Sequence, residues 1–333
     1  MRASNAIGGR RKLESEVVRV SANGLSHKSE GASDVKRIVS VSLGTSLRNK
    51  AVEVEIGGKL FHIERIGTDG DIAKFVKIIM EVDGDADVIC FGGMDIYLYC
   101  GNRRYAFRQA LKLASIPKLT PVVDGSGWKN HVEPLVVDWL QRNGIVDFLG
   151  RRTLVVSSVD RAALSRALYE AGCDLRFGDL AFCLGVNLPV RSWLLYLILS
   201  NIFVPFVTNL PMKLVYPTGE LQERIEPKFA NLYSWAEIIA GDFHLIRRYI
   251  PDDLSGKVIL TNTTTKDDIG ELRKRRVRML VTTTPEFDGR TFGANVMEGV
   301  VVALLGKHPG LVKREDYIYA LKLMRYQPLV VEF

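Results

Sequence analysis

The sequence predicts an α/β protein in two parts, an N-terminal mixed α/β domain followed by a doubly wound parallel-sheet domain. Three observations predict it. Residues 151–179, RRTLVVSSVDRAALSRALYEAGCDLRFGD, pass from a β-branched apolar run to a helical period and back to a strand, the pattern of a crossover between parallel strands. Further strands and helices alternate from 236 to 305, which calls for right-handed crossovers and a sheet covered on both sides. Ahead of the crossover, strands end in glycine-rich acidic loops, GTDGD at 67–71, GGMD at 92–95 and VVDGSGWKN at 122–130. The expected division is a disordered leader at 1–36, a substrate-type α/β domain at 37–145, a Rossmann-like domain at 146–310 and a C-terminal helix and tail at 311–333. An apolar helical insertion is expected at about 181–235.

The crossover has the frame of a dinucleotide site, with Asp179 about 20 residues beyond the turn. Ser157, Val159 and Ala162 stand where G-x-G-x-x-G would be. Alanine suits the third position, but valine puts a β-branched side chain where bare backbone would meet a diphosphate. The helix N-terminus remains an anion site, with Ser157, Ser158 and Arg161 as added donors. A plain structural crossover explains the same residues.

Composition sets the outer limits. The 333 residues are 47% hydrophobic and 25% charged, an ordinary globular balance that supports two domains. The net charge of +7 lies largely in the N-terminal tail and in runs such as Arg273–Arg278, so solvated charge explains it better than nucleic-acid binding. Residues 1–36 are polar and aperiodic and lack the apolar stretch of a secretory signal. Cys90, Cys100, Cys173 and Cys183 show no C-x-x-C spacing and lie in or beside apolar runs, which points to buried thiols in a reducing cytoplasm. The five histidines are scattered, and no metal site is expected.

In chain order, RIVSVSLG from Arg37 reads as a strand. Val52–Ile56 and Leu60–Ile66 form a hairpin across Gly57-Gly58. Ile72–Val82 is a helix, Asp87–Phe91 a buried strand, Arg104–Ala114 a helix, Thr120–Val123 a strand and Val132–Gln141 a helix. Thr153–Ser157 and Leu175–Gly178 are the crossover strands. Ala181–Leu210 is nearly all apolar but is interrupted by Ser200, Asn201 and Pro205; it reads as a buried helix or a helical cap over the cleft, with membrane-surface contact through 192–210 as the other reading. Lys213–Tyr216 suggests an edge strand and Pro217-Thr218-Gly219 a turn. Strands follow at Ala236–Ala240, Lys257–Thr261 and Arg278–Thr282, with helices at Phe243–Tyr249, Asp267–Arg275 and Asn295–Leu305.

Ligands of open α/β sheets bind outside the carboxyl ends of the strands. Asp69, Asp71, Asp95 and Asp124 are therefore expected to share a crevice with Ser126, Lys129 and Asn130. Lys129 and Asp124 suit acid–base chemistry, because each charge shifts the other's pKa. Turn formation alone also explains these aspartates.

The second half resembles the cofactor domain of quinate/shikimate 5-dehydrogenases and related amino-acid dehydrogenase-like folds. The likeness rests on GRRTLVVSS with its helix, on WAEIIAGDF followed by DDLSGKVILTN, and on TTTPEFDGRTFGANVMEG. The whole chain also looks like bacterial proteins called quinate 5-dehydrogenase. The resemblance implies an NAD- or NADP-dependent oxidoreductase acting on a hydroxylated carboxylic acid. Ser157, Ser158, Val159, Asp160 and Arg161 would form the phosphate turn, and Asp179 would take the adenosine ribose, favouring NAD. Gly241, Asp242, Asn262 and Thr263 would border the nicotinamide. Lys129 and Asp124 match the family's proton-relaying lysine and aspartate by type and location; its lysine motif and N-T-D motif are absent. Asp69, Asp95, Ser126 and Asn130 would contact substrate, Arg103 and Arg104 would suit its charge, and a homo-oligomer is compatible with the fold. The alternative is a non-redox Rossmann-like protein binding a phosphorylated or nucleotide ligand as a sensor or assembly partner. A kinase-like use of the acidic loops to hold magnesium is a third reading.

Overall fold

The computed structural model describes residues 35–101, 103–211, 215, 225–287 and 290–333. The leader, the strand at 213–216 and the turn at 217–219 expected from the sequence fall largely outside the described residues. The first half contains β1 (Lys36–Ser42), β2 (Lys50–Ile56), β3 (Lys59–Gly67), α1 (Ile72–Glu81), β4 (Val88–Gly92), β5 (Tyr97–Cys100), β6 (Arg103–Ala106), α2 (Arg108–Ala114), β7 (Val122–Val123), α3 (Ser126–His131) and α4 (Glu133–Arg142). Its sheet has the order β2-β3-β1-β4-β7. Only β2 runs antiparallel, paired with β3 through a turn in which Gly57 and Gly58 have φ of 60° and 78°, values that suit a two-residue hairpin. The chain lays β3 on one side of β1 and β4 on the other, so the sheet reverses direction beside β1.

The second half contains β8 (Arg152–Val155), α5 (Ala162–Glu170), β9 (Asp174–Phe177), α6 (Asp179–Leu184), α7 (Trp193–Val207), α8 (Ala230–Trp235), β10 (Ile238–Ala240), α9 (Phe243–Arg248), β11 (Val258–Thr261), α10 (Lys266–Lys274), β12 (Met279–Thr282), the short hairpin β13 (Glu286–Phe287) and β14 (Arg290–Thr291), α11 (Ala294–Leu305), α12 (Arg314–Leu323) and β15 (Leu329–Glu332). The six-stranded sheet has the order β15-β12-β11-β10-β8-β9. All its pairings are parallel except that of β15 with β12. The strand order reverses between β8 and β10, the position at which such sheets open a crevice.

Several elements differ from expectation. Arg104–Ala114 is a strand followed by a helix, because Tyr97–Cys100 pairs back antiparallel on Arg103–Ala106. The segment 126–131, expected as loop, is α3, and β15 adds an edge strand from the tail. Helix α11 packs on β1 and β4 of the first sheet. Its Gly299 permits this: a Cβ there would lie 2.4 Å from Cys90 Sγ. Helix α7 is not buried. Tyr196, Ser200 and Val204 face inward while Leu194, Ile198, Ile202 and Phe206 face solvent. Cys183 is exposed; the other three thiols are buried.

One apolar cluster joins the two sheets, with Ile38 and Val88 from the first, Val155 and Val258 from the second, and Trp128, Val136, Met297 and Val300 between them. Two further clusters cover the outer faces, around Phe75 and Ile79 on the first sheet and around Leu232 and Ile246 on the second. This layering brings loops at the carboxyl ends of both sheets together. Among the described residues no helix is long and apolar enough to cross a membrane.

Candidate functional site

Lys129 is placed by the turn that opens α3. Gly125 has φ of 94°, in the left-handed region, and a Cβ there would lie 2.6 Å from the backbone nitrogen of Asn295, so only glycine fits. The next helical turn is pinned by Trp128, fully buried, whose Nε1 donates to the Thr283 carbonyl at 2.9 Å beyond β12. Beside this anchor, Lys129 Nζ donates to Asp95 Oδ1 at 2.6 Å and to Asp160 Oδ1 at 2.5 Å. Asp95 follows β4, and Asp160 follows β8. The lysine thus ties together the loops at the reversal points of the two sheets.

A second charged pair lies beside it. Arg161 and Glu133 form an ion pair in which the side chains are 2% and 0% exposed. Arg161 also lies 3.5 Å from Asp242 Oδ2. Asp242 caps α9 by accepting the His244 N–H at 2.9 Å, accepts from Asn262 Nδ2 at 3.1 Å, and gives its own N–H to Ser157 Oγ at 3.1 Å. Lys129 and Arg161 therefore face four carboxylates, those of Asp95, Asp160, Glu133 and Asp242, with His244 also beside Asp242.

The protonation pattern follows from burial and this imbalance. Burial, reinforced by the Asp160 charge, pushes Asp95 up to about 7 although Lys129 opposes it. Burial alone would lower Lys129, but the Asp160 and Asp95 carboxylates outweigh it and hold the ammonium above its usual range. Lys129 thus keeps its proton and Asp95 titrates near neutrality. Burial also raises Glu133, against Arg161. Asp242 is held low because His244 and Arg161 outweigh its burial.

The structure brings Asp95, Lys129, Ser157, Asp160, Arg161, Asp242 and Asn262 into one polar assembly. It pairs Lys129 with Asp95 and Asp160 and not with Asp124. The Asp124 carboxylate accepts from the backbone nitrogens of Ile96, Tyr97 and Ser126 at 2.7, 2.8 and 3.0 Å, which fixes the loop behind Asp95. Ser126 is buried, and its carbonyl accepts from Asn130 Nδ2 at 2.7 Å. Asp69 is exposed at φ 54° and holds the Ser46 N–H at 2.6 Å; Asp71 caps α1. Gly241 has φ of 130°, and Thr263 Oγ1 donates to the Phe292 carbonyl at 3.4 Å. Arg103 and Arg104 are exposed on the β5–β6 hairpin, with Arg104 over the Tyr97 ring. Sequence reasoning missed Glu133, which looks like an ordinary first-turn acid, and Tyr196, which looks like one more apolar position of α7.

The 157–161 turn is closed by its own chain. Asp179 accepts the Val159 N–H at 2.9 Å and the Ser158 hydroxyl. Tyr196 of α7 donates to the Ser158 carbonyl at 2.9 Å, the Val159 side chain packs into two apolar clusters, and the Arg161 guanidinium is held by Glu133. Asp179 therefore already occupies the Val159 N–H and the Ser158 hydroxyl, donors that a dinucleotide's diphosphate would need in such a turn. Among the described residues no cluster of three His, Cys, Asp or Glu could hold a metal.

A family model described as Domain of unknown function (DUF8754) matches residues 127–333, and one described as Domain of unknown function (DUF8753) matches residues 37–124. Asp95 lies in the segment matched by the second and Lys129 in that matched by the first. No curated protein matches the sequence. Among solved structures, the chain is similar to a galactofuranose binding protein at 11% identity, covering 87% of this chain and 98% of that one with a TM-score of 0.35. It is also similar to the Leu-bound hetero-hexameric glutamate dehydrogenase from Thermus thermophilus, at 11% identity, 87% and 74% coverage and a TM-score of 0.39. A third is the NAD-dependent malic enzyme from Thermotoga maritima, at 9% identity, 87% and 84% coverage and a TM-score of 0.34. Likenesses this distant carry no chemistry over to the chain.

Proposed function

Since the chain belongs to the family described as Domain of unknown function (DUF8754), whose description specifies no chemistry, we propose from the geometry that its polar assembly is an acid–base site for a small hydroxylated molecule. The observation that carries this reading is Lys129 Nζ held 2.6 and 2.5 Å from Asp95 and Asp160 at the reversal points of two sheets. A carboxyl that titrates near 7 beside a permanent ammonium is matched to proton transfer at neutral pH. In this reading Asp95 takes the proton from a substrate hydroxyl or returns it, and Lys129 orients the oxygen and steadies its developing negative charge. Lys129 already faces two carboxylates, Asp95 and Asp160, which disfavours a further anion beside it. The substrate class supported best is therefore a neutral polyhydroxylated molecule, rather than the hydroxylated carboxylic acid implied by the family resemblance.

The test is a thermal-shift panel of neutral polyols, sugars and hydroxy acids on the wild type, Lys129→Met and Asp95→Asn. The proposal expects stabilisation by a neutral hydroxylated compound that both substitutions abolish. Stabilisers that act equally on all three proteins would overturn it. A second reading, the NAD-dependent oxidoreductase, is favoured by the β8–α5–β9 crossover and its acid at the sheet's reversal point. It requires Asp179 to withdraw from the turn. NAD or NADP raising the melting temperature of the unmodified protein would support it.

A further inference from the structure

Half of the exposed large apolar side chains among the described residues, ten of twenty, lie between Leu184 and Leu210. On α7 they are ordered. Leu194, Ile198, Ile202 and Phe206 recur every fourth residue and are 66%, 48%, 51% and 69% exposed, with Leu195 and Phe203 alongside at 46% and 52%. A stripe at this spacing is one of the ridges by which helices interlock. Monomers leave apolar patches of roughly 300–600 Å². The six exposed side chains of α7 present on the order of 600–700 Å², above that range and approaching the ~800 Å² per partner of a standard stable interface.

We propose that this stripe is the contact between two copies of the chain, with α7 packed against α7 of the second copy across a two-fold axis. Charge distinguishes this occupant from a bilayer. Residues 180–211 contain one charged side chain, Arg191, and no acid, so the stripe meets its own copy without like-charge repulsion. It also lacks the basic face by which a surface helix is drawn to anionic lipid. The inner side of α7 is already engaged: Tyr196 stacks on Phe177 with ring centroids 4.3 Å apart, and Thr208 at its end accepts the Arg108 N–H through its carbonyl at 3.1 Å. The helix is therefore anchored by its inner side with its apolar ridge outward.

Sedimentation velocity of the full chain from nanomolar to high micromolar concentration tests this, beside the double variant Ile198→Glu/Ile202→Glu and a pelleting assay with phosphatidylcholine vesicles. The wild type is expected to sediment at twice the monomer mass and to stay out of the vesicle pellet. The double variant, with an unchanged circular dichroism spectrum, is expected to dissociate at least roughly 100-fold more readily. A wild type that is monomeric throughout, a variant that dimerises as well as the wild type, or a monomer captured by vesicles overturns the proposal.

Discussion

The Asp179 carboxylate accepts the Val159 backbone N–H at 2.9 Å, so the chain supplies its own anion to the turn after β8. In a dinucleotide-binding crossover the same N–H groups face a diphosphate. The unmodified protein is therefore expected to show no thermal shift with pyrophosphate. Asp179→Ala releases the Val159 N–H and the Ser158 hydroxyl. It is expected to cost roughly 1–3 kcal/mol and to make melting temperature respond to pyrophosphate. A strong response in the wild type, or none in the variant, would show that Asp179 does not close the turn.

The Glu133–Arg161 pair links α4 to the same turn and is almost fully buried. Breaking it with Glu133→Gln takes from the guanidinium its closest carboxylate and leaves it Asp160 and Asp242 at 3.7 and 3.5 Å, so a loss of about 3 kcal/mol in denaturant unfolding is expected, at the low end for a broken buried pair. The double replacement Glu133→Leu/Arg161→Met removes both charges and is expected to recover part of that loss. Equal losses in the single and double variants would mean that packing, not charge, dominates there.

Stability should fall as pH rises through neutrality. Asp179, Asp95 and Glu298 are pushed up to about 6, about 7 and about 8, mainly by burial. Each binds its proton more tightly folded than unfolded. Its contribution is complete below the ordinary carboxylate range and is lost as pH rises through its folded value. Asp242, held low, acts in the opposite sense and loses its contribution below its ordinary value of 3.8. Melting temperature is thus expected to peak near the ordinary carboxylate range and to decline over the window from there to about 8, the slope easing as each of the three values is passed. Asp95→Asn should make the decline shallower up to about pH 7. A flat profile across that window would refute these assignments.

Gly299 sets how closely α11 approaches the first sheet, since a Cβ would come within 2.4 Å of Cys90 Sγ and 3.2 Å of Ile38 Cγ2. Gly299→Val is expected to cost about 1–3 kcal/mol by overpacking. Calorimetry on Gly299→Val with and without Cys90→Ala checks it, because the smaller neighbour should return part of the loss.

Much of the architecture was legible where one local signal decides. The β2–β3 hairpin follows from alternation around Gly57-Gly58, and β8–α5–β9 from a change of period ending at Gly172, whose φ is 84°. The antiparallel β15 was not legible, because its pairing with β12 is set by a strand some fifty positions upstream. The β5–β6 hairpin was hidden by the helix-like Arg104–Ala114 run. At the site, Asp95, Lys129 and Asp160 were each named from sequence, but their pairing was not. Asp124 lies nearer to Lys129 in sequence, yet backbone amides of its own loop hold it. Glu133 carried no local sign that it would meet an arginine from the other sheet.

The most direct test of the acid–base account is a carbon-13 NMR titration of the Asp95 carboxyl in the wild type and in Lys129→Met. The account expects a midpoint close to 7 in the wild type and a higher one once the ammonium is gone. An Asp95 that titrates in the ordinary carboxylate range in both proteins would contradict it.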